Sequence, residues 1–197
     1  MDIRDRKTIL RARMMQARKD MSPETIRSED SAIISHAAAL LRSLPPSETS
    51  VAAYSPLPGE PGGSLLLDAL HGEASSLLLP VSLSGGQLDW ARYEGRLALT
   101  PGMLGIAEPT GERLGPDAIN SCRLIIIPAL GVTPEGVRLG KGGGFYDRAL
   151  AQFADSGNPP LTAVLLYNGE IRDDIPVEDH DMPVDLAITP TGLRRFS

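Results

Sequence analysis

The run Leu124-Ile125-Ile126-Ile127-Pro128-Ala129-Leu130 constrains the fold more than any other part of the chain. It is the most apolar stretch of the sequence and offers water no polar side chain. A strand over 123–127 is therefore expected to be buried on both faces of a sheet. Val51–Tyr54, Ser76–Val81 and Leu161–Tyr167 read as further strands, and Val184–Thr189 as the last. Gln87–Tyr93 alternates enough for an exposed or edge strand, with Trp90 and Tyr93 as packing or stacking residues. Helical stretches separate these segments. The expectation is an α/β layered fold: a mostly parallel central sheet flanked by helices.

Two helices are predicted before the first strand. Over Asp2–Lys19, the residues Ile3, Leu10, Met14, Ala17 and (just beyond) Met21 recur at helical spacing. Ser22-Pro23-Glu24 then starts a second helix, with a capping serine, proline in the first turn and an acid after it. Ile26, Ile33, Ile34, Ala37, Leu40 and Leu41 give that helix an apolar face, His36 reads as a packing or surface residue, and Pro45-Pro46 stops it. Leu65–Leu70 reads as a further helix. Gly105–Pro109 reads as an extended or turning segment.

With 197 residues, one domain over 1–197 is expected. The net charge of −6 argues against general affinity for nucleic acid or an acidic membrane, while leaving room for a local basic site. Cys122 is the only cysteine, so no internal disulfide can form and a reducing compartment is expected. No apolar run approaches the roughly 18 residues of a spanning helix. Arg4, Asp5, Arg6 and Lys7 break the apolar character near the N-terminus, so cytoplasmic residence is expected. A monomer is favoured.

After the apolar run comes Arg138-Leu139-Gly140-Lys141-Gly142-Gly143-Gly144-Phe145-Tyr146-Asp147-Arg148. Four glycines let backbone N–H groups approach a ligand closely, and the helical character that follows favours an anion further. Arg138, Lys141 and Arg148 can neutralise phosphate, and Asp147 can hold a divalent metal shared with it. Neither common phosphate motif applies. A Walker A loop requires glycine at Glu135, and a dinucleotide fingerprint read from Gly140 requires glycine at Phe145.

Other chemistries lack their residues. There is no G-x-S-x-G elbow, and His36, His71 and His180 have no zinc-site spacing. Cys122 reads as an inert structural thiol. Lys7 and Arg11 share a helix face one turn apart. Either their stems lie along apolar surface with heads in water, or they form a two-pronged phosphate clamp. Glu60, in the proline-stiffened turn after Tyr54, is either a solvated loop acid or an acceptor for a polar substrate. Asp181, after Pro176 and His180, is either a turn residue or a second magnesium ligand beside Asp147. The inventory suits phosphoryl transfer, where positioning and charge neutralisation supply most of the catalysis.

Five ordered motifs give the chain a family resemblance nearly end to end. Lys7-x-x-Leu10-Arg11, Tyr54-Ser55-Pro56 leading to Glu60, Gly105-Ile106-Ala107-Glu108-Pro109, the loop Arg138–Arg148, and His180-Asp181 resemble those of the 5-formyltetrahydrofolate cyclo-ligase family. The resemblance implies ATP- and magnesium-dependent conversion of 5-formyltetrahydrofolate to 5,10-methenyltetrahydrofolate, with release of ADP and phosphate. It implies that Lys7, Arg11, Arg138, Leu139, Gly140, Lys141, Gly142, Gly143, Gly144, Phe145 and Tyr146 contact ATP. Ser55, Glu60, Lys141, Gly142, Gly143, Gly144 and Phe145 would contact the folate, and Asp147 and Asp181 would bind magnesium.

Two positions depart from the family pattern. Phe145 replaces the first tyrosine of a usual pair, keeping a ring and losing a hydroxyl. Glu170 stands where members often have glutamine, and its charge either alters substrate fit or is solvated. These departures motivate a competing reading, a paralog that activates another formyl or amide substrate with ATP; a third, a non-catalytic nucleotide-binding regulator, has the retained Lys7, Arg138, Asp147 and Asp181 against it.

Overall fold

A computed structural model describes residues 2–45, 49–154, 156–178 and 181–196. Helices α1 (Ile3–Asp20) and α2 (Pro23–Arg42) come first, as their patterns require. Ser22 Oγ accepts the Thr25 N–H at 3.1 Å and so caps α2, an interaction generally worth about 1 kcal/mol. Pro46, the second half of the expected stop, lies outside the described residues. Strand β1 (Ser50–Ala53), helix α3 (Leu66–Glu73), and strands β2 (Ser76–Ser82) and β3 (Leu88–Arg92) follow. Next come β4 (Leu99–Pro101), β5 (Ala107–Pro109), β6 (Leu124–Ile127), β7 (Gly131–Val132), β8 (Arg138–Leu139), α4 (Phe145–Leu150), β9 (Leu161–Leu165), β10 (Leu186–Thr189) and β11 (Gly192–Arg195).

The central sheet has seven strands in the order β11-β10-β9-β6-β1-β2-β3. The five inner strands are mutually parallel, and β3 and β11 pair antiparallel at the two edges. Every residue of β6 is buried, which is the burial that its unbroken apolar run demands. Its side chains alternate between two cores. Leu124 and Ile126 pack with Ile33, Ala37 and Leu41 of α2 and Leu66 and Leu70 of α3. Ile125 and Ile127 face the opposite layer with Ile119, Trp90 and the α4 residues Ala149 and Leu150. A third, smaller cluster joins Leu10 and Met14 of α1 to Leu130, Leu139 and Ile175. No helix among the described residues is long and apolar enough to cross a membrane.

Three details differ from the sequence expectation. The last strand is β11, not β10: its Gly-Leu-Arg-Arg sequence is largely exposed and carries no apolar period, so only its pairing with β10 reveals it. A two-residue hairpin, β7 with β8, intervenes between the apolar run and the glycine loop. On α1 the buried stripe is Lys7, Leu10, Met14 and Arg18, with Ala17 exposed. The helix is rotated so that a cation closes each end of its buried face.

Candidate active site

The chain runs from β1 outward to β2 and β3, then returns to place β6 on the other side of β1. A crevice opens at such a reversal, beyond the carboxyl ends of the strands. A cavity of about 320 Å³ lies there, lined by Tyr54 and Ser55 just after β1, Ser82 at the end of β2 and Pro128 just after β6. Leu57 and Glu60 come from the turn after β1, Pro80 from β2, Leu88 from β3 and Ile106 from the segment before β5; the rest of the wall comes from the 138–147 stretch. The β1 turn is held in place from two sides. The Tyr54 hydroxyl donates to Pro61 O at 2.6 Å, and Asp30 Oδ1 of α2 accepts the Gly62 N–H at 2.7 Å.

The glycine loop needs its glycines. Gly142 and Gly144 have φ of 93° and 67°, a region that other L-residues rarely adopt. A Cβ on Gly144 would also lie 2.8 Å from Arg148 Nη1. Arg148 is itself occupied: its Nη2 donates to Gly143 O at 2.8 Å and its Nε to Gly86 O at 2.9 Å. It shapes the loop and ties it to the β2–β3 turn instead of offering a free charge. The helix after the loop, α4, has only six residues, so the cradle rests on backbone and side chains, not on a helix end.

Cations and carboxylates meet in pairs around the cavity. Lys141 Nζ lies 2.6 Å from Glu60 Oε1, while Glu60 Oε2 accepts the Leu57 N–H at 2.8 Å. Arg138 Nη2 pairs with Asp147 Oδ1. Arg138 is otherwise buried, and its Nε meets no acceptor among the described residues. Lys7 Nζ donates to Asp181 Oδ2 at 2.6 Å and Glu178 Oε2 at 2.8 Å. Arg11 Nε donates to Gly140 O at 2.9 Å, which joins α1 to the glycine loop. Burial opposes the Lys7 charge, yet the hydrogen bonds it donates to Asp181 and Glu178, with their negative charges, outweigh it and hold the ammonium above its ordinary pKa. The Tyr146 phenol is pushed well up, first by burial and then by Glu60, with Arg138 opposing.

Of the sequence-predicted residues, Ser55, Glu60, Arg138, Gly140, Lys141, Gly142, Gly143, Gly144, Phe145, Tyr146 and Asp147 line this cavity together. Leu139 turns its side chain into the cluster with Leu10 and Met14, so only its backbone faces the loop. Lys7, Arg11 and Asp181 form an adjacent group that reaches the loop through Gly140. His180 lies outside the described residues. Glu178 and Tyr54 are partners to which sequence reasoning assigned no role. Proximity to His180-Asp181 was the only signal for the first, and membership of the Tyr54-Ser55-Pro56 motif for the second.

Glu170 is neither solvated nor turned toward the cavity. Its oxygens accept from Arg18 Nε at 2.7 Å and Arg18 Nη2 at 2.8 Å, and both side chains are buried. The suspected departure in substrate fit is an internal ion pair.

The donor set fits a magnesium nucleotide. Magnesium takes one or two protein carboxylates, for which Asp147 and Asp181 are the candidates, and completes its shell with phosphate oxygens and water. Among the described residues no three His, Cys, Asp or Glu side chains converge, so phosphate and water would have to complete the shell. The orphaned Arg138 Nε suits a phosphate oxygen.

The model of the 5-formyltetrahydrofolate cyclo-ligase family matches residues 3–190. The 5-formyltetrahydrofolate cyclo-ligase of Mycolicibacterium smegmatis is 32% identical over 189 residues, 93% of each chain. That of Escherichia coli is 27% identical over 146 residues, 73% of this chain and 79% of the other. The NMR structure of Aquifex aeolicus 5,10-methenyltetrahydrofolate synthetase aligns with a TM-score of 0.75 at 30% identity, covering 96% of this chain and 92% of that one. A Mycoplasma pneumoniae synthetase aligns at 0.72 with 22% identity, covering 93% and 98%, and supports the fold alone. With its cavity, its paired charges and a family match over nearly its whole length, this chain belongs to the 5-formyltetrahydrofolate cyclo-ligase family.

Proposed function

We propose that the protein forms one cyclo-ligase domain that converts 5-formyltetrahydrofolate to 5,10-methenyltetrahydrofolate, consuming ATP with magnesium and releasing ADP and phosphate. The observation that carries the nucleotide part is Arg138. It is a buried guanidinium on the cavity wall, with Nη2 held by Asp147 and Nε lacking any acceptor among the described residues. Leaving such a donor unpaired costs about 1–3 kcal/mol, and a phosphate oxygen would recover that cost.

The chemistry needs an activated oxygen. A formyl oxygen is a poor leaving group until phosphorylated. Its attack on the terminal phosphorus expels ADP; the second folate nitrogen then closes on the formyl carbon, losing its proton as the carbon–oxygen bond breaks and phosphate leaves. In this reading Arg138 and Lys141 hold the transferring phosphate, and the N–H groups of Gly142–Gly144 lie along the polyphosphate. Lys7 and Arg11 close over it from α1. Asp147 and Asp181 would hold magnesium, which shields the phosphate charge when bound. Glu60, with Ser55 beside it, accepts hydrogen bonds from the polar ring system of the folate. Phe145 supplies an apolar surface for it.

The test is spectrophotometric. Methenyltetrahydrofolate absorbance should rise only when ATP, magnesium and 5-formyltetrahydrofolate are all present. Folded protein that yields no product under those conditions would sink the proposal.

A further inference from the structure

We infer that Arg18 and Glu170 are positioning residues for the nucleotide, because their buried pair is the fixed anchor of the helix that carries Lys7 and Arg11. The inference rests on the nucleotide reading above. Helix α1 has little apolar attachment: Leu10 and Met14 are its only buried apolar side chains. The rest of its buried face is Lys7 at one end and Arg18 at the other, about 16 Å apart along the axis.

These two ends have different partners. Lys7 is held by Glu178 and by Asp181, the carboxylate suited to magnesium. Once Asp181 turns to a metal and Lys7 to a phosphate, that attachment is spent. Arg18 is held by groups outside the cavity. Its fork grips both Glu170 oxygens, its Nη2 also donates to Ala129 O at 2.8 Å, and its guanidinium carbon lies 5.6 Å from the Tyr167 ring centre. Glu170 Oε2 in turn accepts the Tyr167 N–H at 2.9 Å. Ala129 and Tyr167 lie just past the carboxyl ends of β6 and β9, so Arg18 fastens the helix directly to the sheet's active edge.

Stability alone does not account for this arrangement, since well-packed apolar residues commonly do as well as a buried ion pair. Geometry does. The two-point fork fixes both rotation and translation of α1, whereas two apolar side chains permit slippage. A shift of one residue moves Lys7 by about 1.5 Å along the axis and rotates the face by about 100°. Errors of that size at a phosphate contact are expensive in affinity.

The experiment titrates a non-hydrolysable ATP analogue with magnesium into wild type, Arg18→Met and Arg18→Lys by calorimetry. Hydrogen exchange of α1 and folate KM at saturating ATP are measured in parallel. Arg18→Met is expected to weaken nucleotide binding about tenfold. It should speed exchange in α1 but not in β6 and β9, and leave folate KM within about twofold. Arg18→Lys keeps the charge, loses the fork, and should show the same pattern more mildly; it decides the matter if Arg18→Met does not fold. A lowered melting temperature with nucleotide affinity within about twofold of wild type would make the pair merely structural and overturn the inference. Wild type that binds no analogue would instead overturn the nucleotide reading beneath it.

Discussion

Lys141 Nζ reaches across the mouth of the cavity to within 2.6 Å of Glu60 Oε1, joining the glycine loop to the turn after β1. The lysine is half-exposed and the glutamate is buried. The far oxygen of Glu60 is already taken by the Leu57 N–H, so the carboxylate is oriented from both sides. Lys141→Met should leave Oε1 facing the cavity without its cation. Folate KM is expected to rise about tenfold, because hydrogen bonds to charged groups are typically worth about 1.5–3 kcal/mol. Steady-state kinetics at saturating ATP checks this, and an unchanged KM would detach the pair from substrate binding.

Asp147→Ala separates chemistry from folding. The Asp147 side chain is 66% exposed while its partner Arg138 is buried, so losing the pair should cost on the order of 1 kcal/mol of stability. Turnover should nevertheless collapse, or require far more magnesium. Denaturant unfolding and a magnesium titration of the rate measure the two effects. If both fall together, Asp147 is structural.

Gly131→Ala probes the packing beneath α1. A Cβ at this position would sit 2.7 Å from Met14 Cε, 2.8 Å from the backbone oxygen of Glu170 and 3.3 Å from Ile175 Cδ1. The backbone oxygen cannot rotate away, so overpacking should cost about 1–3 kcal/mol in urea unfolding. A loss below about 0.5 kcal/mol would mean that α1 yields readily there.

The tyrosines predict how stability ends at high pH. All four phenols are held above their ordinary pKa. Tyr93 is pushed up to about 12, first by burial and then by its hydrogen bond to Asp68. An unfolded phenol releases its proton near pH 10, while the folded one keeps it. Between those values the unfolded chain binds fewer protons, so stability should fall as pH rises from 10 toward 12. Phenolate absorbance should be nearly absent in native protein at pH 10 and substantial in denatured protein. Equal absorbance in both would contradict the burial.

Much of this architecture is written locally. The apolar runs in β1, β2, β6 and β9 need no partner to be recognised, and the Ser22-Pro23-Glu24 cap marks α2 by its own chemistry. The glycine loop shows itself by composition. What escapes the sequence is whatever depends on a distant partner. Nothing intrinsic separates Arg18 from the other arginines of α1; its burial is decided by Glu170. For the same reason Ala17, a reasonable member of an apolar stripe, ends up in solvent. The sequence offers the Glu170 charge only two accounts, altered substrate fit or solvation, because its actual partner, Arg18, lies on a distant element. Strand β11, half arginine, exists only because β10 offers an edge.

The anchoring of α1 also bears on synthesis. Arg18 and Glu170 are 152 residues apart in sequence, and Lys7 and Asp181 are 174 apart. At about 5–20 residues per second, roughly 8–30 s separate the synthesis of Arg18 from that of Glu170. Strands β1, β2 and β6, which pair with one another, are all made within that interval. Closing loops of this length is slow compared with local pairing. A helix made well before both of its partners is expected to dock after the sheet has paired, so Lys7 and Arg18 reach their places late in folding.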